Sequence, residues 1–295
     1  MYRAPLLLGL RLRRCWCCSS SSSFPVRPWR GGGGAAAPSE EGAPSSPGLP
    51  DMARVPLPMP LPASGPDRQS ALLAAASALR EGGLVALPTD TVYGVACLAQ
   101  DSRALGAVYR LKGRAASKPL AICLADVEHV YRYCNVCVPD KLLQELLPGP
   151  VTLVLERSDT LNKDLNPFTP LVGVRIPSHC FIRELARECA GPLALTSANI
   201  SQGESSLTVT EFQELWPHLS LIIDGGPTGD IHRPESRLGS TVIDLSVPGK
   251  FKIIRGGCAL IQTVEILAVK YGLTTELPIC GSLSSLSLEH LAWRG

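Results

Sequence analysis

At 295 residues the chain can hold one large domain or two small ones, and its 45% hydrophobic and 18% charged content is ordinary for a soluble globular protein. Residues 1–39 carry six arginines and no acid, which leaves 22 basic against 26 acidic residues from 40 onward. That balance excludes a protein that holds nucleic acid by bulk charge, so any cationic site has to be local. The leading segment, Arg-rich, Ser-rich and acid-free, reads as a mitochondrial presequence over 1–39. A secretory signal is the competing reading, because Ala4–Leu10 is apolar, but Arg11, Arg13 and Arg14 follow it at once. No run reaches the roughly 18–20 apolar residues that span a bilayer. The Gly-, Ala-, Pro- and Ser-rich stretch over 40–66 reads as a disordered linker. Met52 lies inside it, and initiation there would give a form without the presequence, so mitochondrion and cytoplasm are both expected.

From residue 67 the pattern is regular. "DRQSALLAAASALREGG" has helical spacing, a polar start and a Gly-Gly stop. "LVALPTD" predicts a short buried strand, and "SRALGAVYRLKG" a helix ended by Gly113. "KPLAICLAD" predicts a strand and "DKLLQELLPG" a helix closed by Pro-Gly. "PVTLVLE", "LVGVRIP", "LALTSAN", "LSLIIDGG", "STVIDLS" and "KFKIIRGG" read as strands, with helices over 178–189, 208–216 and 262–271. Strands and helices interleave without a strict repeat, which predicts one α/β domain with a mixed twisted sheet over 67–258. A C-terminal helix and a loosely attached tail follow over 259–295.

Eleven cysteines invite a disulfide or metal reading, yet Cys134-Asn-Val-Cys137 is the sole CxxC, with no second pair and no His pair at zinc-finger spacing. Reduced thiols packed as small hydrophobes fit better and point to an intracellular compartment.

Neither GxxxxGK[ST] nor GxGxxG between a strand and a helix is present. Polar clusters stand instead at strand ends: 88–94 (PTDTVYG), Lys112/Arg114/Lys118, 148–152 (PGPVT), 174–177 (VRIP), 196–199 (TSAN), 239–241 (GST) and 254–256 (IRG). Ligands of open α/β sheets commonly sit beyond strand ends. Three cations within seven residues before an apolar strand suit a polyphosphate, although a solvated basic face is the plainer reading. Arg175 lies inside an apolar strand, where a guanidinium requires an anion. A substrate carboxylate and a structural Asp or Glu are equally open.

The order of these clusters resembles the YrdC family. "ALPTDTVYGVAC", "YRLKGRAASKPLAI", "LLPGPVTLVLE", "VGVRIPSH", "LALTSANISQG" and "GSTVIDLS…IIRGG" follow the family's own sequence over about 68–258. They include its KxR…SxN signature, here Lys112, Arg114, Ser197 and Asn199. The resemblance implies a single YrdC/RibB-like domain with a twisted mixed sheet and a concave ligand-binding face. It implies an L-threonylcarbamoyladenylate synthase, a nucleotidyltransferase that joins L-threonine, bicarbonate or CO2, and ATP. The products would be threonylcarbamoyl-AMP and pyrophosphate, and a tRNA threonylcarbamoyltransferase machinery would then make N6-threonylcarbamoyladenosine. Mg2+ would arrive with ATP, with no metal ligand from protein side chains and no tightly bound cofactor.

By the same resemblance Lys112 and Arg114 are the catalytic cations, and ATP meets Lys112, Arg114, Lys118, Ser197, Asn199, Ser205 and Arg255. Threonine lies among Thr91, Arg175 and Ser240, with Thr152 shaping the floor and Arg175 gripping the carboxylate through two parallel hydrogen bonds. Loop 199–207 is the expected lid. Three departures stand out: Cys123 where archaeal members place a His, "SQGESS" for the common "SGKPS", and "IIRGG" for "RPG", which predicts a looser backbone after Arg255. A different adenylating enzyme and a non-catalytic RNA-binding module on the same fold are the alternatives.

Overall fold

The computed structural model describes residues 55–113, 119–200 and 203–275. The expected presequence, the tail over 276–295, and Arg114 and Lys118 lie outside the described residues. The chain enters the fold before the expected boundary. Within the stretch read as linker, β1 (Met59–Pro60) pairs in parallel with β9 (Leu221–Asp224), and the Leu61 N–H donates to the Asp224 carbonyl at 2.8 Å. A Pro-rich segment can do this because an edge strand leaves proline's missing N–H facing away from the ladder.

α1 (Pro66–Arg80) follows, with Pro66 in its first turn and Gly82 at φ 84 just past its end. β2 (Val85–Leu87) and β3 (Gly94–Leu98) pair antiparallel. β3 was not expected from sequence, since "GVACL" carries one β-branched residue and no alternation. α2 (Ser102–Leu111) starts on the Asp101 side chain, which accepts from the N–H groups of Arg103 and Ala104 at 2.8 and 3.3 Å. Then come β4 (Ala121–Cys123), α3 (Val130–Tyr133), β5 (Cys134–Asn135) and α4 (Asp140–Leu146). β6 (Val151–Arg157), β7 (Leu171–Arg175), α5 (Cys180–Glu188) and β8 (Leu193–Ser197) complete the middle of the chain. The helix expected over 208–216 is a 3-10 segment, Val209–His218, broken at Phe212 and carrying Pro217. β10 (Thr241–Asp244), β11 (Lys250–Arg255), α6 (Leu260–Glu265) and β12 (Thr274–Thr275) end the described chain.

These strands form one mixed sheet in the order β1-β9-β2-β3-β8-β4-β7-β6-β10-β11-β12, with β5 on β6. The side chains sort by parity. Val85, Leu87, Ala96, Leu193 and Ile223 face α1 and α5, where they meet Ala75, Leu79, Phe181 and Leu185. Ala86, Val95, Cys97, Ile122 and Ala194 face the opposite core, with Leu105, Leu142 and Phe212. Covering both faces explains why the strands read as unbroken apolar runs. Each fully buried Leu or Phe contributes roughly 1.5–3 kcal/mol of transfer free energy. The segment after 258 belongs to the same body, because Leu267 and Leu273 lie in the larger core and β12 pairs with β11.

Candidate active site

Seven neighbouring strands leave room on one face. Gly94 on β3, Ala121 on β4 and Gly173 on β7 are small, and the floor they make extends through Leu195, Thr152 and Val242 to Ile254. The result is a cleft of about 360 Å³. Thr152, Arg175, Ser197, Ser205, Ser240 and Arg255 all line it, so residues far apart in sequence converge there.

At one end stands Arg175, the last residue of β7, only 7% exposed. Its Nη2 donates to Asp90 Oδ1 at 2.6 Å, to Thr89 Oγ1 at 3.2 Å and to the Thr91 hydroxyl. A structural Asp is therefore present, as one of the two open readings of Arg175 had it. Asp90 takes one nitrogen, while Nε is buried with no hydrogen-bond partner among the described residues. Both two-pronged grips that a guanidinium can offer use Nη2, and here Nη2 already meets Asp90, Thr89 and Thr91. Thr91 stands behind Arg175 rather than on the cleft wall, and Asp90 and Thr89 were not expected to act there.

Arg255, the last residue of β11, faces the same cleft. Its Nη2 donates to the Ser240 carbonyl at 2.9 Å and to Ser240 Oγ at 3.3 Å, and Ser240 Oγ also meets Thr152 Oγ1 at 2.9 Å. Burial, and next the charge of Arg175, lower the pKa of Arg255. Two guanidiniums thus share one cleft, the second without a carboxylate among the described residues, an arrangement that can receive an anion. "IIRGG" does not loosen the chain here. Gly257 is buried, and a Cβ on it would stand 2.4 Å from the backbone of Ser240 and Thr241, so glycine serves a close approach that holds Ser240 in place.

At the other end β8 delivers Ser197. Lys112 is not on the cleft wall. It is 2% exposed, and its Nζ donates to the Ser197 carbonyl at 2.9 Å, to Asn199 Oδ1 at 3.1 Å and to the Asn199 carbonyl. The KxR…SxN signature thus appears first as an internal contact, with Lys112 bracing the turn that follows Ser197. The Asn199 side chain also accepts from Ser197 Oγ and donates to the Ile200 carbonyl at 2.9 Å. The far end of the expected lid is tied down. Ser205 O accepts from Arg237 Nη1 at 2.8 Å, Ser206 Oγ donates to Ala198 O at 2.7 Å, and the Tyr93 N–H donates to Ser206 O at 2.9 Å. Tyr93, missed by sequence reasoning although it sits inside PTDTVYG, lines the cleft, and burial pushes its phenol up to about 12. Cys123 is fully buried off the cleft, its thiol also pushed up to about 12 by burial. Among the described residues no group of three His, Cys, Asp or Glu side chains is placed to hold a metal ion.

A family model named for Sua5, YciO and YrdC and described as "Telomere recombination" matches residues 77–257. A Rattus norvegicus protein named threonylcarbamoyl-AMP synthase is 62% identical over 245 residues, which cover 82% of this chain and 86% of the relative. A Homo sapiens protein of the same name is 62% identical over 234 residues, covering 78% and 84%. The crystal structure of P. abyssi Sua5 complexed with L-threonine superposes with a TM-score of 0.61 at 32% identity, covering 70% of this chain and 59% of the archaeal one.

Proposed function

The chain belongs to the Sua5/YciO/YrdC family, and from that premise we propose that it is a threonylcarbamoyl-AMP synthase, converting L-threonine, bicarbonate or CO2, and ATP into threonylcarbamoyl-AMP and pyrophosphate. The observation that carries this reading is the cleft itself. Two guanidiniums converge at one end, and Ser197 lies at the other.

Threonine lies at the Arg175 end. Its carboxylate takes the unpartnered Nε–H of Arg175, with the Ser240 hydroxyl and Arg255 close by. ATP extends toward Ser197, and Arg114 and Lys118 meet its phosphates. Lys112 acts on the nucleotide through the Ser197–Asn199 turn that it holds. Mg2+ would enter as the nucleotide's own counter-ion.

The threonine amine adds to the carbon of CO2, forming a C–N bond and releasing a proton, to give a carbamate. A carbamate oxygen then forms a bond to the α-phosphorus, and the bond from that phosphorus to pyrophosphate breaks. No side-chain nucleophile is needed. Holding the reactants in line and offsetting charge on the leaving pyrophosphate supply the catalysis, and alignment alone contributes several kcal/mol, up to about 7–11. The product feeds N6-threonylcarbamoyladenosine synthesis on tRNA through a separate transferase. The acid-free leading segment and Met52 support a mitochondrial and a cytosolic pool.

The test is product identity. With 13C-bicarbonate, threonine and ATP, the adenylate should gain one mass unit over the 12C reaction. An adenylate without the label would contradict the carbamate route.

A further inference from the structure

The reading proposed above gives Arg175 to the substrate and leaves Asp90 without a role, although the two form a buried ion pair in which both side chains are 8% exposed. Asp90 is held on both oxygens. Oδ1 accepts from Arg175 Nη2 at 2.6 Å, and Oδ2 accepts from the Ser178 N–H at 2.8 Å. The carboxylate is thus fixed to the backbone just beyond the strand that carries the arginine. Thr89 sets the turn beneath it. Thr89 Oγ1 donates to the Val92 carbonyl at 2.7 Å and accepts from the N–H groups of Thr91 and Val92 at 3.2 and 3.3 Å. Every hydrogen bond that Arg175 makes with the described residues leaves from Nη2, and Nε is buried without a partner among them. Arginine–carboxylate pairs frequently join through two nitrogens. Here it takes one and leaves a desolvated donor, and such a donor is costly unless a ligand completes it.

We propose that Asp90 is a positioning residue for the amino-acid substrate: by anchoring Nη2 to the backbone at Ser178, it fixes the guanidinium plane of Arg175 so that Nε–H is offered to the substrate carboxylate. This rests on the reading of the cleft as a threonine site. Asp90 touches no reacting atom and acts through Arg175 alone. It also cancels one of the two positive charges at this end, so that binding of a single carboxylate leaves the site close to neutral.

Asp90→Asn keeps the shape and loses the charge. It should raise the KM for threonine on the order of tenfold or more, as loss of a supporting partner typically does, with the KM for ATP and kcat little changed. Asp90→Glu should recover part of the loss. Because Asp90 works through Arg175, Asp90→Asn should add nothing in an Arg175→Gln background. A direct readout on the unmutated protein is the Nε–H resonance of Arg175 in 15N-arginine-labelled material, assigned by its loss in Arg175→Lys. It should shift on titration with threonine. The proposal is overturned by an Nε–H resonance unmoved at saturating threonine, by a KM for threonine that is unchanged or lowered in Asp90→Asn, or by full additivity with Arg175→Gln. An unmutated enzyme that makes no adenylate would instead remove the synthase reading, so the two failures are distinguishable.

Discussion

Lys112 reaches from the end of α2 to Asn199 beyond β8, and its ammonium is held by the carbonyl and the side-chain oxygen of that one residue, with the Ser197 carbonyl as a third partner. A cation and an amide 87 positions apart therefore form one structural unit. The signature lysine thus holds the Ser197 end of the cleft together.

Removing that lysine should destabilise the fold as well as the activity. Lys112→Ala leaves part-buried oxygens of Ser197 and Asn199 without this donor, at a cost of about 1–3 kcal/mol. Urea unfolding should show a lowered midpoint. Asn199→Ala should be costly in the parent and much less so in the Lys112→Ala background, with a coupling of about 0.5–3 kcal/mol. A fully additive double variant would mean that the two side chains do not work together.

Gly257→Ala should disturb Ser240 without touching the cleft. The new methyl would stand 2.4 Å from the Ser240 and Thr241 backbone, and forcing it in costs about 1–3 kcal/mol. Threonine binding should weaken along with stability, because Ser240 and Arg255 share hydrogen bonds. An alanine variant with parental affinity and midpoint would contradict the close approach.

Acid should lower the stability of the protein modestly, in part through the partly exposed ion pairs of Asp126 and Glu211. A hydrogen bond from Arg187 comes first among the causes that hold the Asp126 carboxyl below the usual carboxylate range, with Arg183 adding to it, and Arg237 does the same for Glu211. A depressed folded-state pKa means that the stabilisation is present above the unfolded value of about 4 and is lost as pH falls through the folded value. Stability measured by denaturant should therefore decline below about pH 4. Asp126→Asn and Glu211→Gln should each flatten that decline, while an unchanged pH profile would contradict both pairs.

Much of this fold was legible because buried strands announce themselves. "VTLVLE" and "LVGVRIP" carry branched residues and turn signals, and both became central strands. "GVACL" did not, since its glycine lies on the cleft floor and its alanine and cysteine pack as small residues into the two cores, so the run carries little strand preference of its own. In the site, Arg175 demanded an anion because an apolar run surrounds it. Sequence could not say that Asp90 would meet it from a loop 85 residues away, nor that Nη2 alone would be engaged. For Lys112 the cationic run suggested solvent or phosphate, yet burial under Asn199 depends on the pairing of β8 with β3 and β4, which no local pattern encodes.

Pyrophosphate release tests the central claim most directly. With ATP alone, ATP and threonine, or ATP and bicarbonate, the protein should release pyrophosphate at background, and with all three together it should turn over. Arg175→Ala should lose most of that turnover at threonine concentrations that saturate the parent. Release that needs only ATP, or that is indifferent to threonine or to bicarbonate, would contradict a cleft built to join an amino acid, a one-carbon acid and a nucleotide.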